Sequence, residues 1–130
     1  MILGDTGTGK ELIARLIHKN SKNSKSQILA VNCASIPKVL FESELFGHEK
    51  GSFTDANKQH IGFAEAVGDG TLFLDEIGEL DISLQSKLLR FLENKTFKRV
   101  GGNSDIKFRG RIISATNINI NENIAKESFR

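Results

Sequence analysis

The chain has 130 residues, with 18 Lys and Arg against 16 Asp and Glu for a formal net charge of +2. That length allows one domain at most, and so small a charge makes no electrostatic case for nucleic acid or an anionic membrane. Hydrophobic residues are 38% of the chain, and no apolar run is long enough to span a bilayer or reads as a secretory leader.

A single cysteine, Cys33, rules out an internal disulfide and fits a reducing, cytoplasmic setting. It lies in the apolar run 28–33, so it reads as a small buried hydrophobe. His18, His48 and His60 lack metal-ligand spacing. With no Trp or Tyr and nine Phe, the core must come from Leu, Ile, Val and Phe.

In chain order, a short strand at 1–3 runs into Gly4-Asp5-Thr6-Gly7-Thr8-Gly9-Lys10. Glycines at 4, 7 and 9 permit backbone angles closed to other residues, and successive N–H groups of such a loop form a nest for anions. Leu12, Ile13, Leu16 and Ile17 have helix spacing, so a helix starts here and aims its positive dipole end at a phosphate. Lys10 adds the point charge between terminal phosphates. Glu11 stands where the general motif has a Ser or Thr that would offer a hydroxyl to Mg²⁺.

Residues 20–26 form a polar loop, and 28–33 a continuous apolar strand suited to a parallel sheet. Pro37 introduces a short helix at 38–46. A polar segment, 47–60, follows with one exposed-looking aromatic, Phe53, and then a short helix at 61–67 and a turn at 68–70. Thr71-Leu72-Phe73-Leu74 reads as a second buried strand, ending in Asp75-Glu76. Leu84, Leu88, Leu89 and Leu92 lay one stripe on a helix at 82–94. Residues 97–108, with Gly101-Gly102-Asn103 at the middle, read as a hairpin or excursion. A third strand, 111–117, ends in Thr116-Asn117. Helices alternating with apolar strands predict a three-layer αβα sheet of the α/β class.

Ligands of open α/β sheets gather at the carboxyl ends of the strands. Asp75 there would support Mg²⁺ through water, and Glu76 would polarise the water that attacks a γ-phosphate. Capping of a helix N-terminus is the alternative for this acidic pair. Asn117 at the next strand end could bond the γ-phosphate or that water, or serve as a turn residue.

Together these residues resemble the AAA+ ATPase domain of sigma-54-dependent transcription activators, across essentially all of the chain. The most specific stretches are Glu42-Ser43-Glu44-Leu45-Phe46-Gly47-His48-Glu49 and Lys50-Gly51-Ser52-Phe53-Thr54-Asp55-Ala56. Gly70 to Ile77, Leu88 to Leu92 and Arg99-Val100-Gly101-Gly102 also match. The resemblance implies a P-loop NTPase with a central, mostly parallel sheet, and it removes the puzzle of Glu11, because the family's loop also ends in Gly-Lys-Glu. It implies ATP and Mg²⁺ as cofactors, a nucleotide loop at 4–11 and a strand at 71–76 carrying Asp75 for the metal and Glu76 as the base. It implies a sensor at Thr116 and Asn117, a second insertion at 97–109, and a sigma-54 contact loop at 47–60.

By the same resemblance Asn32 is a switch that restrains the glutamate, although a plain cap fits it too. Phe129-Arg130 looks like the start of an element whose Arg130 reaches into a neighbour's site as a finger. The contact residues Gly51 to Ala56 depart from the family's Gly-Ala-Phe-Thr-Gly-Ala at two places. Ser52 for Ala is mild. Asp55 for Gly adds a charge and costs about 1 kcal/mol if a left-handed angle is required there. Phe53 would touch the partner or fold back onto the body.

The expected activity is ATP-driven remodelling of the sigma-54 polymerase complex by a ring, as a hexamer. DNA would be engaged through a domain not in this chain, and no membrane is involved. The alternative is a nucleotide-binding regulatory or oligomerisation module that no longer engages sigma-54. Only three residues precede the phosphate loop, where a strand usually has five or six. The chain therefore reads as a fragment truncated at both ends, with the helical lid absent.

Overall fold

The structure is a computed structural model that describes residues 1–117. Four strands, β1 (Ile2–Leu3), β2 (Ile28–Asn32), β3 (Thr71–Asp75) and β6 (Arg111–Thr116), form a parallel sheet in the order β1-β6-β3-β2. Helix α1 (Lys10–Lys19) packs on one face; α2 (Lys38–Phe46), α3 (Phe63–Ala66) and α4 (Ile82–Asn94) lie on the other. Strands β4 (Thr96–Phe97) and β5 (Ile106–Lys107) make a separate antiparallel hairpin. This is the three-layer αβα architecture of a P-loop NTPase.

Alternation along β3 divides the core. Phe73 turns to α1 and joins Ala14, Ile113 and Ala115. Leu72 and Leu74 turn to the other face, where Phe41, Leu45, Phe46, Leu88 and Phe91 meet them. Phe97 and Phe108 extend that second cluster, with Phe91 edge-on to Phe108 at 5.0 Å between ring centroids. The hairpin is thus anchored by aromatic packing.

Helix α1 buries a face that its apolar spacing does not predict. On α1 the inward residues are Lys10, Ala14 and His18, while Leu12, Ile13 and Leu16 are exposed. Polar chemistry fixes this orientation. Lys10 is tied to the phosphate loop at one end, and at the other His18 Nδ1 meets the Thr71 hydroxyl at 2.7 Å and Nε2 meets the Ser26 carbonyl at 2.9 Å. Ala14 between them lets the helix approach the sheet closely. Helix α4 buries most of its expected stripe: Leu84 and Leu88 are buried beside Gln85 and Phe91, Leu92 packs partly buried against the core, and Leu89 is exposed. Strand β2 also differs from expectation. It is one of the two edge strands, and Ala30 is exposed, so it is not fully covered on both faces.

Candidate functional site

Two loop glycines supply the angles the phosphate loop needs: Gly7 has φ 80° and Gly9, the residue preceding α1, has φ 82°. Gly4 is there for a different reason. Its φ is ordinary, but a Cβ would come within 2.9 Å of Thr8 Oγ1. The Thr8 hydroxyl donates to the Asp5 carbonyl at 2.7 Å, which tightens the loop. Glu11 points along α1 and pairs with Arg15 at 2.7 Å on the exposed face, so it is directed to Arg15 and not to the strand ends.

Lys10 is only 5% exposed. Its ammonium donates to the carbonyls of Gly4 (2.8 Å) and Asp5 (3.1 Å) and lies 3.5 Å from Glu76 Oε1. A lysine this buried needs such partners. Glu76 is also buried, at 7% exposure, and its backbone is left-handed (φ 55°), which is uncommon for a residue with a side chain. That angle breaks the strand direction right after Asp75 and turns the carboxylate toward the phosphate loop. Glu76 Oε1 accepts from the Thr6 hydroxyl at 3.4 Å, and Oε2 accepts the Asn117 backbone N–H at 3.1 Å. The Asn117 amide in turn donates to Thr6 Oγ1 at 3.0 Å. The ends of β3 and β6 and the loop after β1 therefore converge on one carboxylate.

Asp75 accepts the Glu76 backbone N–H on Oδ1 at 2.9 Å. It stays partly exposed at the strand tip, a carboxylate suited to a hard cation that keeps most of its waters. Among the described residues there is no cluster of three or more His, Cys, Asp or Glu able to cage a metal. Mg²⁺ beside a nucleotide requires none, because the phosphates and water complete its shell.

Asn32 is in register with Asp75 on the neighbouring strand. Its Oδ1 accepts the Ala34 N–H at 2.9 Å, which is cap geometry and commits that oxygen to its own strand end. Thr116 is fully buried, and its carbonyl accepts the Gly4 N–H at 3.3 Å. Phe129 and Arg130 lie outside the described residues. Cys33 is buried behind this edge, and burial, helped by the Asp75 charge, pushes its thiol up to about 12 from an ordinary 9.0.

Across the molecule, residues 51–56 close on themselves: Gly51 N–H donates to the Ala56 carbonyl at 2.7 Å, and Ala56 N–H to Phe53 at 3.0 Å. Phe53 is 39% exposed and rests edge-on against His48, with ring centroids 4.9 Å apart. It borders a groove of about 370 Å³ with Val39, Leu40 and Val100. Thr54 and Asp55 are exposed. Asp55 is not in the left-handed region, so the strain expected of it is not incurred; the positive φ falls on Gly51 at 79°. The other departure, Ser52, has a buried hydroxyl with no hydrogen-bond partner among the described residues, so replacing Ala there is less mild than expected.

Sequence reasoning missed the group that holds this loop. Arg99, just after β4, forms a fork on Glu65 of α3 at 2.7–3.1 Å and reaches Glu49 at 3.0 Å. Glu49 also accepts from Gln59 at 2.8 Å. These hydrogen bonds, Gln59's first, hold the Glu49 carboxyl below its ordinary value, and Glu65 and Glu49 raise that of Arg99. A basic residue near a Gly-Gly turn gives no sign of which carboxylates it will find 34 and 50 positions away.

The model of the sigma-54 interaction domain matches residues 1–130. Nitrogen fixation protein AnfA of Azotobacter vinelandii is 52% identical over the whole chain, which spans 24% of that protein. Regulatory protein AtoC of Escherichia coli K12 is also 52% identical, with 28% of its length covered. Among solved structures, NtrX from Brucella abortus in complex with ATP superposes with a TM-score of 0.89 at 39% identity; all of this chain and 29% of that one are covered. The chain thus spans about a quarter of the length of these relatives.

Proposed function

This chain belongs to the sigma-54 interaction domain family of transcription regulators, with an AAA+ P-loop core, and on that premise we propose that it binds and hydrolyses ATP to remodel sigma-54 polymerase. The observation that carries this reading is the convergence of Lys10, Asn117 and Thr6 on the buried carboxylate of Glu76. Residues 4–11 hold the phosphates, with Lys10 exchanging its loop carbonyls for phosphate oxygens. Glu76 takes a proton from the attacking water as that water's oxygen bonds the γ-phosphorus and the bridging oxygen leaves with ADP. Asp75 would hold Mg²⁺, which would supply charge neutralisation on the phosphates. Asn117 is the sensor and Thr116 its buried support; Asn32 is a switch that would first have to leave its cap.

Residues 97–109, clamped by Arg99, couple this site to the loop at 47–60, whose Gly51, Ser52, Phe53, Thr54, Asp55 and Ala56 form the sigma-54 contact. A ring, a hexamer in this reading, lets Arg130 act on a neighbour's nucleotide, which is worth about 10³–10⁵ in rate for a finger in trans. The protein acts in the cytoplasm; among the described residues no helix is long and apolar enough to cross a membrane.

A second reading has its own observation. Phe53 leans on His48 and Asp55 brings a charge to the tip, features that suit a nucleotide-binding regulator whose loop no longer grips sigma-54. Capture of sigma-54 by the full-length protein, with ADP and a planar phosphate mimic, separates the two. Capture by the parent supports remodelling; capture by Asp55→Gly alone supports the second reading. Hydrolysis by Glu76→Gln at the parent's rate would remove the proposed base.

A further inference from the structure

We propose that Thr6 is a positioning residue for Glu76, an inference that rests on Glu76 being the base of the ATPase reading above. A threonine hydroxyl has one proton to give and two lone pairs to receive with. Asn117 Nδ2 donates to Thr6 Oγ1 at 3.0 Å, which occupies one accepting lobe and turns the proton away from the amide. The carboxylate within reach of that proton is Glu76, whose Oε1 lies 3.4 Å away. Its other oxygen takes the Asn117 backbone N–H at 3.1 Å. Asn117 therefore acts on both oxygens of Glu76, on one directly and on the other through Thr6.

The contact's length matters. Hydroxyl-to-oxygen bonds usually run near 2.7–2.8 Å, so a 3.4 Å approach orients the carboxylate without gripping it. A base must be aimed and still be able to turn to a water. The left-handed backbone at residue 76 throws the side chain toward the loop, and Lys10 meets Oε1 at 3.5 Å from one side. Thr6 is the neutral group that stands beside the same oxygen at the mouth of the site. Through it the phosphate loop does two jobs, wrapping the phosphates with its backbone and aiming the base with one hydroxyl.

The test compares Thr6→Val, which deletes the hydroxyl at nearly constant volume, with Thr6→Ser, which keeps it, in the full-length protein. Thr6→Val should lower kcat about tenfold while KM and the affinity for a fluorescent ADP analogue change by less than about twofold. Thr6→Ser should recover most of the lost rate. An unchanged kcat for Thr6→Val would overturn the inference, and so would a loss of analogue binding that matches the loss of rate, since that marks a damaged phosphate loop. A second measurement needs no turnover: thermal unfolding of Thr6→Val, Asn117→Ala and the double variant without added nucleotide. Effects that fail to add support the Thr6–Asn117 contact, and additive effects overturn it. A parent that hydrolyses no ATP would sink the ATPase reading, and the unfolding cycle would still decide the contact.

Discussion

Ser52 of the 51–56 loop lies directly against Gly101 of the β4–β5 hairpin: a Cβ at Gly101 would fall 2.5 Å from the Ser52 Cβ. Gly101 also has φ 76°, so both its angle and its bareness serve this approach. The same closeness buries the Ser52 hydroxyl without a partner. Ser52→Ala should therefore stabilise the fold by about 1 kcal/mol, because a buried unpaired hydroxyl is removed with no loss of packing. Gly101→Ala should destabilise by about 1–2 kcal/mol or more. Thermal unfolding of the two variants checks both signs, and a Ser52→Ala variant that melts below the parent would contradict the burial argument.

The Arg99 clamp makes a salt and pH prediction. Glu65→Gln breaks the fork and should cost about 1 kcal/mol, less at high salt, since these side chains keep some contact with water. Glu49 titrates below its ordinary 4.5 in the folded chain. Its contribution to stability is therefore complete above that value and is lost as pH falls through the lowered one. Unfolding midpoints followed down from pH 6 should show an acid-side decline that Arg99→Ala flattens.

Cys33 should be unreactive in the folded protein. Its thiol sits near 12 and is 2% exposed, so the attacking thiolate is scarce and inaccessible at pH 8. Colorimetric thiol titration at that pH should find no rapidly reacting group until denaturant is added. The sign reverses for alkaline stability. Between pH 9.0 and about 12 the unfolded thiol has lost its proton and the folded one has not, so stability falls as pH rises through that window.

Asp55→Gly should leave thermal stability within about 0.5 kcal/mol, because Asp55 already has an ordinary backbone angle. Any effect of this substitution on sigma-54 capture then reports charge and contact at the tip. A large change in melting temperature would show that the loop is strained after all.

What was legible in the sequence was local. The helices at 38–46 and 82–94 and the strand into Asp75-Glu76 lie where composition and spacing put them. The turns at Gly7 and Gly9 were readable because few residues other than glycine accept their angles. The orientation of α1 was not, since Lys10 and His18 decide it through partners on other elements, and spacing sees only apolar residues. The same holds at the sites. The tether of Thr6 to Asn117 joins positions 111 apart, and the angle at Asp55 depends on how its loop closes on Gly51 and Ala56. Residue type does not encode such pairings.

Only two residues other than glycine have a left-handed backbone among those described, Lys95 and Glu76, each at φ 55°. Lys95 ends α4 with its ammonium 5.9 Å from the Phe108 ring centroid, and glycine there would relax the angle at the loss of that one contact. Glycine at 76 would relax the same kind of angle and delete the carboxylate. A stability-driven design of this chain would thus treat the two positions alike on backbone grounds, whereas under the ATPase reading proposed above selection for turnover would hold Glu76 and release Lys95. The pair offers an internal control for how much unfavourable geometry one buried carboxylate can impose on an otherwise regular sheet.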